Sequence, residues 1–374
     1  MDVGIIGGDV PMKNWSLTEW DGFDEINPVA YGEKVLVGNA TCYGCLVSCK
    51  REVEVAEGPY QMKKGPGPEY ETVATFGTMC LNSNMESIAK ANEICNTLGM
   101  DTITCGSTIA WAIECFENGL LDESKTDGLK LNWGNHEAII ELARKIGMKE
   151  GFGELLSEGS AKASETIGGK QFLTTVRGLE APMHDPRGAH GYGLAYATST
   201  RGACHMDSLQ YPVEGGAMLL DDIPELADQL EEMTSEGKAL IVTKTQDFGQ
   251  FFSHALVMCN LAGLAMNATF ALRALNCAVG TNLSIDDALK IGQRIYYLKR
   301  GLNNLFGSGV EDDMLPERMM TAIEGGPTDG SVPDMKLMLE EYYALRKFNG
   351  KGWPEREKLE ELGLSELAQE LYKE

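Results

Sequence analysis

Three cysteines lie close together in the segment CYGCLVSCK, at the spacing C-x2-C-x3-C. Thiolates arranged in this way on one short segment are typical of a metal ion or an iron–sulfur cluster, and either needs a fourth ligand. Cys42, Cys45 and Cys49 can supply only three ligands. The fold is therefore constrained to bring a distant residue to this segment.

The spacing alone does not identify the bound group or the fourth ligand. The pattern differs from the bacterial ferredoxin spacing, and an iron–sulfur cluster is favoured over zinc because zinc sites usually carry paired C-x2-C knuckles. The candidate fourth ligands are Cys80, Cys95, Cys105, Cys115, Cys204, Cys259 and Cys277. The first four fall in helical stripes, where a free cysteine packs as a small hydrophobe. Periodicity does not choose between Cys204 and Cys259.

Composition limits the partners and the compartment. A formal charge of -24 on 374 residues repels phosphate backbones and anionic lipid, so we expect neither nucleic acid nor a membrane as partner. The first residues do not form a secretory signal, and ten cysteines without an export signal favour the reducing cytoplasm. The longest apolar stretch, from Leu261 to Leu272, is too short to span a bilayer and predicts a buried helix.

Helical patterns dominate the chain. The segment SNMESIAKANEICNTLG, for example, has a capping box of Ser83 and Glu86, an apolar stripe and a stop at Gly99. The best strand candidates are KVLVG and FLTTVRG. We therefore predict a mainly α, multihelical two-domain body with few short strands, divided into residues 1–174 and 175–374.

Candidate acid and base groups lie in two places. His184, His190 and His205 fall in a Gly-rich stretch, a concentration that indicates proton chemistry near a ligand, although Gly-rich segments are also ordinary loops. Glu69 and Glu71 follow a Pro-Gly turn and enter a predicted helix. A carboxylate held by such a turn is a candidate acid or base if it points inward.

Taken together, these segments resemble the tungsten- or molybdenum-dependent aldehyde:ferredoxin oxidoreductases, over their second and third domains. The resemblance covers nearly the whole chain. It rests on ordered matches that include PMKNW, CYGCLVSCKR, GPEYET, ANEICNTLGMDTIT, DPRGAHGYGLAYATSTRGACH and GQRIYYLKRGLNN.

The resemblance implies a 4Fe-4S cluster and a bis-pterin cofactor, tungstopterin or molybdopterin. The family's fourth cluster ligand ends a D-x-x-G-L-C segment, which is HALVMC here and makes Cys259 the expected ligand. His254 and Val257 replace the Asp and Gly of that segment, and Asn96 replaces the first Asp of a companion segment. The implied cofactor-contact positions are Asn96, Met100, Asp101, Arg201, Asp207, His254, Met258 and Asn260.

The resemblance also implies catalytic positions. The family glutamate of the E-Y-E segment corresponds to Glu69 or Glu71, and the histidine of the C-H dipeptide corresponds to His205. His184 matches a position that holds Tyr in some members, and we expect it to donate to a substrate oxygen.

The implied reaction oxidises a small aldehyde to a carboxylic acid and passes electrons through the cluster to ferredoxin or a similar carrier. Family members have a β-rich first domain, so a missing N-terminal domain or subunit is expected. A homodimer is compatible with the sequence, although the E-x-x-H pattern of a metal bridge between subunits is absent. The alternatives are a cluster-only electron-transfer module, a relative that performs another two-electron reaction such as reduction of an aromatic thioester, and a zinc-stabilised interaction protein.

Overall fold

The computed structural model describes residues 1–45, 47–216, 218, 220, 222–226, 231–264 and 266–373, without the side chain of residue 211. Two compact units divide the chain. Unit 1 comprises Met1–Gly188 and Pro316–Val332, and unit 2 comprises Ala189–Leu315 and Pro333–Glu374. The predicted mainly helical fold class is confirmed, because the described elements are mostly helices with a few short strands. The predicted domain boundary after Thr174 stays a prediction.

Unit 1 combines helices with two small sheets. Its helices are α1 (Asp2–Ile6), α2 (Pro28–Lys34), α3 (Tyr70–Phe76), α4 (Met85–Leu98), α5 (Thr102–Glu117), α6 (His136–Met148), α7 (Phe152–Leu156) and α8 (Ser160–Ile167). Its strands are β1 (Leu36–Ala40), β2 (Lys50–Val55), β3 (Met62–Pro66), β4 (Thr175–Val176) and β5 (Leu179–Glu180). Strand β4 is shorter than the predicted strand over FLTTVRG.

The three clustered cysteines lie in the connection between two paired strands. Strands β1, β2 and β3 form an antiparallel sheet in that order, and Ala40 pairs with Lys50. The backbone N–H of Cys45 donates to the carbonyl oxygen of Cys42 at 3.1 Å, and Gly44 takes a φ of +70° that suits glycine. The sheet thus fixes both ends of the cysteine segment.

Close helix packing defines the core of unit 1. A Cβ added to Gly106 on α5 would lie 2.4 Å from the Thr75 side chain on α3, so glycine permits this crossing. Helix α4 ends at Gly99 in the left-handed region, as predicted. The predicted capping box of Ser83 and Glu86 is wrong, because the Asn84 side chain caps α4 by accepting the Ser87 N–H.

Unit 2 is helical throughout its described elements. They are α9 (His190–Thr198), α10 (Gln210–Glu214), α11 (Lys238–Gly249), α12 (Asn260–Gly263), α13 (Ala268–Val279), α14 (Ile285–Leu305), α15 (Met335–Arg346), α16 (Arg356–Glu361) and α17 (Ser365–Leu371). A π-helical turn, Gln250–Ala255, continues α11. No helix among the described residues combines the length and apolar character needed to cross a membrane.

Helix α9 comes from the Gly-rich stretch, and all its residues are buried. A Cβ added to Gly191 would lie 2.3 Å from Glu214 Oε2 and 2.5 Å from Gln210 Nε2, so glycine lets α9 approach α10 closely. Gln210 and Lys238 both donate to the Glu214 carboxylate. This part of the Gly-rich stretch is therefore a packed helix and not a loop.

The predicted buried helix from Leu261 to Leu272 is wrong. Two helices, α12 and α13, share this stretch, and Ala265 between them lies outside the described residues. Leu261 is 41% exposed and Phe270 is 60% exposed, whereas Ala271 and Leu272 join the apolar core of unit 2. The hydrophobic content of the stretch does not show which of its residues face the core and which face the surface.

Candidate functional site

The two carboxylates at the start of α3 point in different directions. Glu69 is the N-cap residue; its side chain is 53% exposed and accepts from Arg51 at 2.9 Å. The Glu71 side chain is only 14% exposed, and its Oε2 accepts the Met183 N–H at 2.8 Å. The sequence could not choose between the two glutamates, and Glu71 is the one that meets the inward-pointing condition.

Glu71 belongs to a buried proton-bearing group in unit 1. Its Oε1 lies 3.4 Å from His184 Nε2, and the other ring nitrogen, Nδ1, lies 2.9 Å from Asp9 Oδ2. The Tyr70 ring stacks on the imidazole with 4.9 Å between centroids, and the Tyr70 hydroxyl donates to the Met183 carbonyl. Residues far apart in sequence therefore form one network, which we call the Asp9–His184–Glu71 group.

The environment of this group raises the pKa of both Glu71 and His184. Burial raises the pKa of Glu71 from 4.5 to about 7, against the opposing effects of His184 and of the Met183 N–H. Burial opposes protonation of His184, but the Asp9 carboxylate outweighs it and the pKa of His184 rises. A carboxyl group that titrates near neutral pH suits a general acid or base.

A cavity of about 540 Å³ opens beside Glu71 in unit 1. Five of the residues predicted from sequence line it: Glu69, Glu71, Asn96, Met100 and Asp101. The Asp101 side chain also caps α5 by accepting the Thr104 N–H at 2.7 Å. The C-terminus of α4, the N-terminus of α5 and the N-terminus of α3 thus meet at one pocket.

The cysteines divide into two groups by exposure. Cys42 and Cys259 are exposed, Cys45 and Cys49 are half-buried, and none forms a disulfide. In contrast, Cys80, Cys95, Cys105 and Cys115 are buried within unit 1, as their helical stripes predicted. Burial raises the pKa of Cys80, and raises the pKa of Cys115 to about 12, which disfavours the thiolate that metal binding requires.

In unit 2, the π-helical turn carries residues of a second candidate site. His254 Nε2 lies 3.5 Å from Asp207 Oδ1, and Lys299 Nζ lies 3.7 Å from the same oxygen. Gln250 donates to Asp207 Oδ1 at 3.1 Å. Although burial opposes ionisation, His254, Lys299 and Gln250 hold the pKa of Asp207 well below its ordinary value. A π turn is a frequent feature of functional sites.

A cavity of about 290 Å³ lies at this turn. The sequence-predicted residues that line it are Arg201, Asp207, His254, Met258, Cys259 and Asn260. The Arg201 guanidinium donates to Cys204 Sγ at 2.8 and 3.1 Å, yet burial still raises the pKa of Cys204. Cys259 is the N-cap residue of α12 and thus has a defined position at the cavity wall.

The structure therefore gathers most of the predicted positions into one site within each unit. His205 is half-buried in unit 2, next to Cys204. Sequence reasoning missed Asp9, Gln250 and Lys299. Gln250 lies four residues before His254 on the same π-helical turn, and Lys299 lies within the segment GQRIYYLKRGLNN, so both had a local signal. Asp9 had none, because it meets His184 through tertiary packing.

Comparison with known proteins decides the family. A family model described as aldehyde ferredoxin oxidoreductase, domains 2 and 3, matches residues 1–364. The chain belongs to this aldehyde ferredoxin oxidoreductase family. The family resemblance inferred from the motifs is therefore confirmed.

Curated relatives agree with this assignment. The chain is 35% identical over 369 residues to a tungsten-containing aldehyde ferredoxin oxidoreductase of Pyrococcus furiosus and 34% identical to that of Thermococcus kodakarensis; each match covers 96% of this chain and 58% of the relative. It is 27% identical to the WOR-like subunit of an aliphatic sulfonate oxidoreductase of Pyrococcus furiosus, covering 99% of this chain and 57% of that subunit.

The solved structure is the active-site complex of benzoyl-coenzyme A reductase with 1,5-dienoyl-CoA. It superimposes with a TM-score of 0.78 at 19% identity, covering 98% of this chain and 59% of that chain. This similarity shows the fold. The chain spans about three fifths of the length of these relatives, whose names refer to different substrates.

Proposed function

We propose that this chain forms part of a tungsten or molybdenum pterin oxidoreductase that converts an aldehyde to a carboxylic acid. The single observation that carries the proposal is the cavity in unit 1, where the titratable Glu71 lies beside Asn96 and Asp101, two positions that the family resemblance implies for cofactor contacts. Ferredoxin or a similar carrier accepts the electrons. The exposed thiols suit the reducing, anaerobic cytoplasm that we propose as its location.

The donor set fits a 4Fe-4S cluster. Cys42, Cys45 and Cys49 are free thiols on one short connection, and Cys259 is a free, exposed thiol at a helix start. Cys80 and Cys115, which are buried in unit 1, are poor ligands because burial raises the pKa of their thiols. We assign Cys42, Cys45, Cys49 and Cys259 to the cluster.

The polar groups at the two cavities fit a pterin cofactor. Asn96 and Asp101 in unit 1 offer amide and carboxylate oxygens to pterin N–H groups, and Arg201 in unit 2 suits a phosphate because its guanidinium binds bidentately. When bound, the pterin metal supplies two-electron redox chemistry and the cluster supplies one-electron transfer. We propose that another domain or subunit contributes the remaining contacts, since the relatives are longer than this chain.

An aldehyde and water give a carboxylic acid, two protons and two electrons, and the residues of this chain handle one of those protons. Glu71, with a pKa of about 7, accepts a proton at Oε1 from the aldehyde hydrate or from water, and its Oε2 stays fixed by the Met183 N–H. His184 Nε2 lies within reach of the same carboxyl group and takes the proton onward. His205 remains a second candidate base, on the strength of its C-H dipeptide.

A cluster-only electron-transfer module is the second candidate function. It is favoured by the absence of a carboxylate at positions 96 and 254, where the family pattern has Asp. His254 faces Asp207 instead of offering an acceptor, and an asparagine forms weaker contacts to pterin N–H groups than an aspartate. A pterin oxidoreductase that performs another two-electron reaction, such as reduction of an aromatic thioester, would use the same cofactors on a different substrate.

Anaerobic co-expression tests these functions. The chain is produced together with a polypeptide that supplies the first domain of the family, and the purified complex is analysed for tungsten, molybdenum, iron and sulfide. The proposal expects stoichiometric pterin metal and aldehyde-dependent reduction of a viologen dye, and Glu71→Gln lowers that rate by about 100-fold or more without loss of iron. Iron and sulfide without tungsten or molybdenum would favour the electron-transfer module, and zinc alone would remove both candidates.

A further inference from the structure

We infer that Asp9 is a positioning residue that holds His184 in the Nδ1-protonated tautomer, with Nε2 directed at Glu71. This inference rests on the proposed function, in which His184 takes a proton from Glu71. The Asp9 side chain is 11% exposed, and its Oδ2 lies 2.9 Å from His184 Nδ1. Because an ionised carboxyl group only accepts hydrogen bonds, Nδ1 is the donor. The imidazole is 8% exposed, so water has little access to this hydrogen bond.

The backbone locks Asp9 beside His184. The Asp185 N–H donates to the Asp9 carbonyl at 2.7 Å, and the Asp9 N–H donates to the Gly4 carbonyl at 2.7 Å. A Cβ added to Gly188 would lie 2.8 Å from the Gly8 carbonyl carbon and 3.0 Å from the Asp9 nitrogen. The two segments therefore approach as closely as backbone allows, which leaves Asp9 little freedom to move away from the imidazole.

The imidazole ring has one orientation in this site. Tyr70 stacks on its face with an interplanar angle of 27°, and its two nitrogens meet different carboxyl groups. Because Asp9 accepts a hydrogen bond from Nδ1–H, Nε2 of the neutral ring carries the lone pair and faces Glu71 Oε1 at 3.4 Å. A proton that leaves the Glu71 carboxyl group can then bind Nε2, and the Asp9 carboxylate stabilises the resulting imidazolium.

Several charged groups act on this pair. Asp9 and Glu71 both favour the protonated imidazole, and the α-amino group of Met1 opposes it. Asp9 and Asp101 both favour the protonated form of Glu71, whereas His184 favours its ionised form. Removing the charge of Asp9 should therefore make His184 a weaker base and allow the neutral ring to adopt either tautomer.

The tautomer can be measured by NMR on the chain labelled with ¹⁵N-histidine. The His184 signals are identified by their loss in His184→Gln. Wild type is expected to show a protonated Nδ1 and an unprotonated Nε2 in the neutral ring. In Asp9→Asn, we expect a population protonated at Nε2 and a fall of about one unit or more in the His184 pKa. Asp2→Asn is the matched control, since it removes one exposed carboxylate from the same segment and should leave His184 unchanged.

The measurement has clear opposing outcomes. A wild-type His184 protonated at Nε2, or Asp9→Asn spectra identical to those of Asp2→Asn, would overturn the inference. The wild-type spectrum decides the tautomer even if Asp9→Asn fails to fold. Neither result needs a bound cofactor, so a failed tautomer assignment leaves the proposed oxidoreductase standing, and an inactive complex leaves the tautomer result standing. In an active complex, Asp9→Asn should lower kcat by about 10- to 100-fold and shift the pH profile, with KM little changed.

Discussion

Replacing Glu71 by Gln should make the stability of the protein less sensitive to alkaline pH. The wild-type carboxyl group is held in a buried position where ionisation is unfavourable, which raises its pKa from 4.5 to about 7. The folded state therefore binds a proton that the unfolded state has already lost. Stability conferred by this proton is present at acidic pH and disappears as the pH rises through the folded pKa.

The magnitude follows from the same two values. At roughly 1.36 kcal/mol for each pKa unit, the difference between 4.5 and about 7 corresponds to about 3 kcal/mol of unfolding free energy lost between about pH 4.5 and pH 7. The raised pKa of His184 acts in the same direction at higher pH. Glutamine cannot ionise and can still accept the Met183 N–H, so Glu71→Gln avoids most of this loss.

Urea unfolding of the chain at pH 5 and pH 8 measures the effect. Glu71→Gln should gain stability relative to wild type on going from pH 5 to pH 8. The matched control is Glu69→Gln, two residues earlier on the same turn, whose exposed pair with Arg51 contributes about 0–1 kcal/mol. A stability difference between Glu71→Gln and wild type that is the same at both pH values would refute the claim that Glu71 carries a neutral-range pKa.

Two further predictions concern the packing that supports the sites. Gly191→Ala should destabilise unit 2 by about 2 kcal/mol or more, because the added Cβ would lie 2.3 Å from Glu214. In a thermal unfolding comparison, Gly32→Ala should be neutral or stabilising, because its added Cβ has no neighbour within 4 Å. Arg346→Met should lower the free energy of unfolding by about 3–5 kcal/mol, because it leaves the buried Asp247 carboxylate without its partner at 2.5 Å. Adding Asp247→Asn should recover part of that loss in urea unfolding, and no recovery would contradict the ion-pair explanation.

Local signals in the sequence predicted much of the fold. Helix α14 begins at a capping box of Ser284 and Asp287 and runs with a regular apolar stripe, and α6 covers almost all of the helical pattern NHEAIIELARKIG, residues 135–147. The start of α14 depends on neighbouring residues in the chain, so sequence alone is sufficient there. Capping at Asn84 and the division of Leu261–Leu272 were missed, because competing caps and mixed faces differ by small energies that tertiary packing decides.

The candidate sites divide in the same way. The cysteine segment and the E-Y-E segment are local patterns, so the order of residues along the chain is enough to identify them. Asp9 lies 175 residues from His184 and meets it through tertiary contacts, namely the Asp185–Asp9 backbone hydrogen bond and the close packing at Gly188. Likewise, the environment that raises the pKa of Glu71 while Glu69 remains exposed is a property of the folded surroundings and not of the spacing.

Iron and sulfide analysis with EPR spectroscopy tests the proposed cluster most directly. The anaerobically purified, reconstituted chain should bind about four iron and four sulfide and give a cubane signal on reduction. Cys259→Ala should lose or strongly alter that signal, whereas Cys277→Ala, which removes another exposed thiol of unit 2, should not. Bound zinc in place of iron, or an unchanged signal in Cys259→Ala, would contradict the assignment of these four thiolates to one cluster.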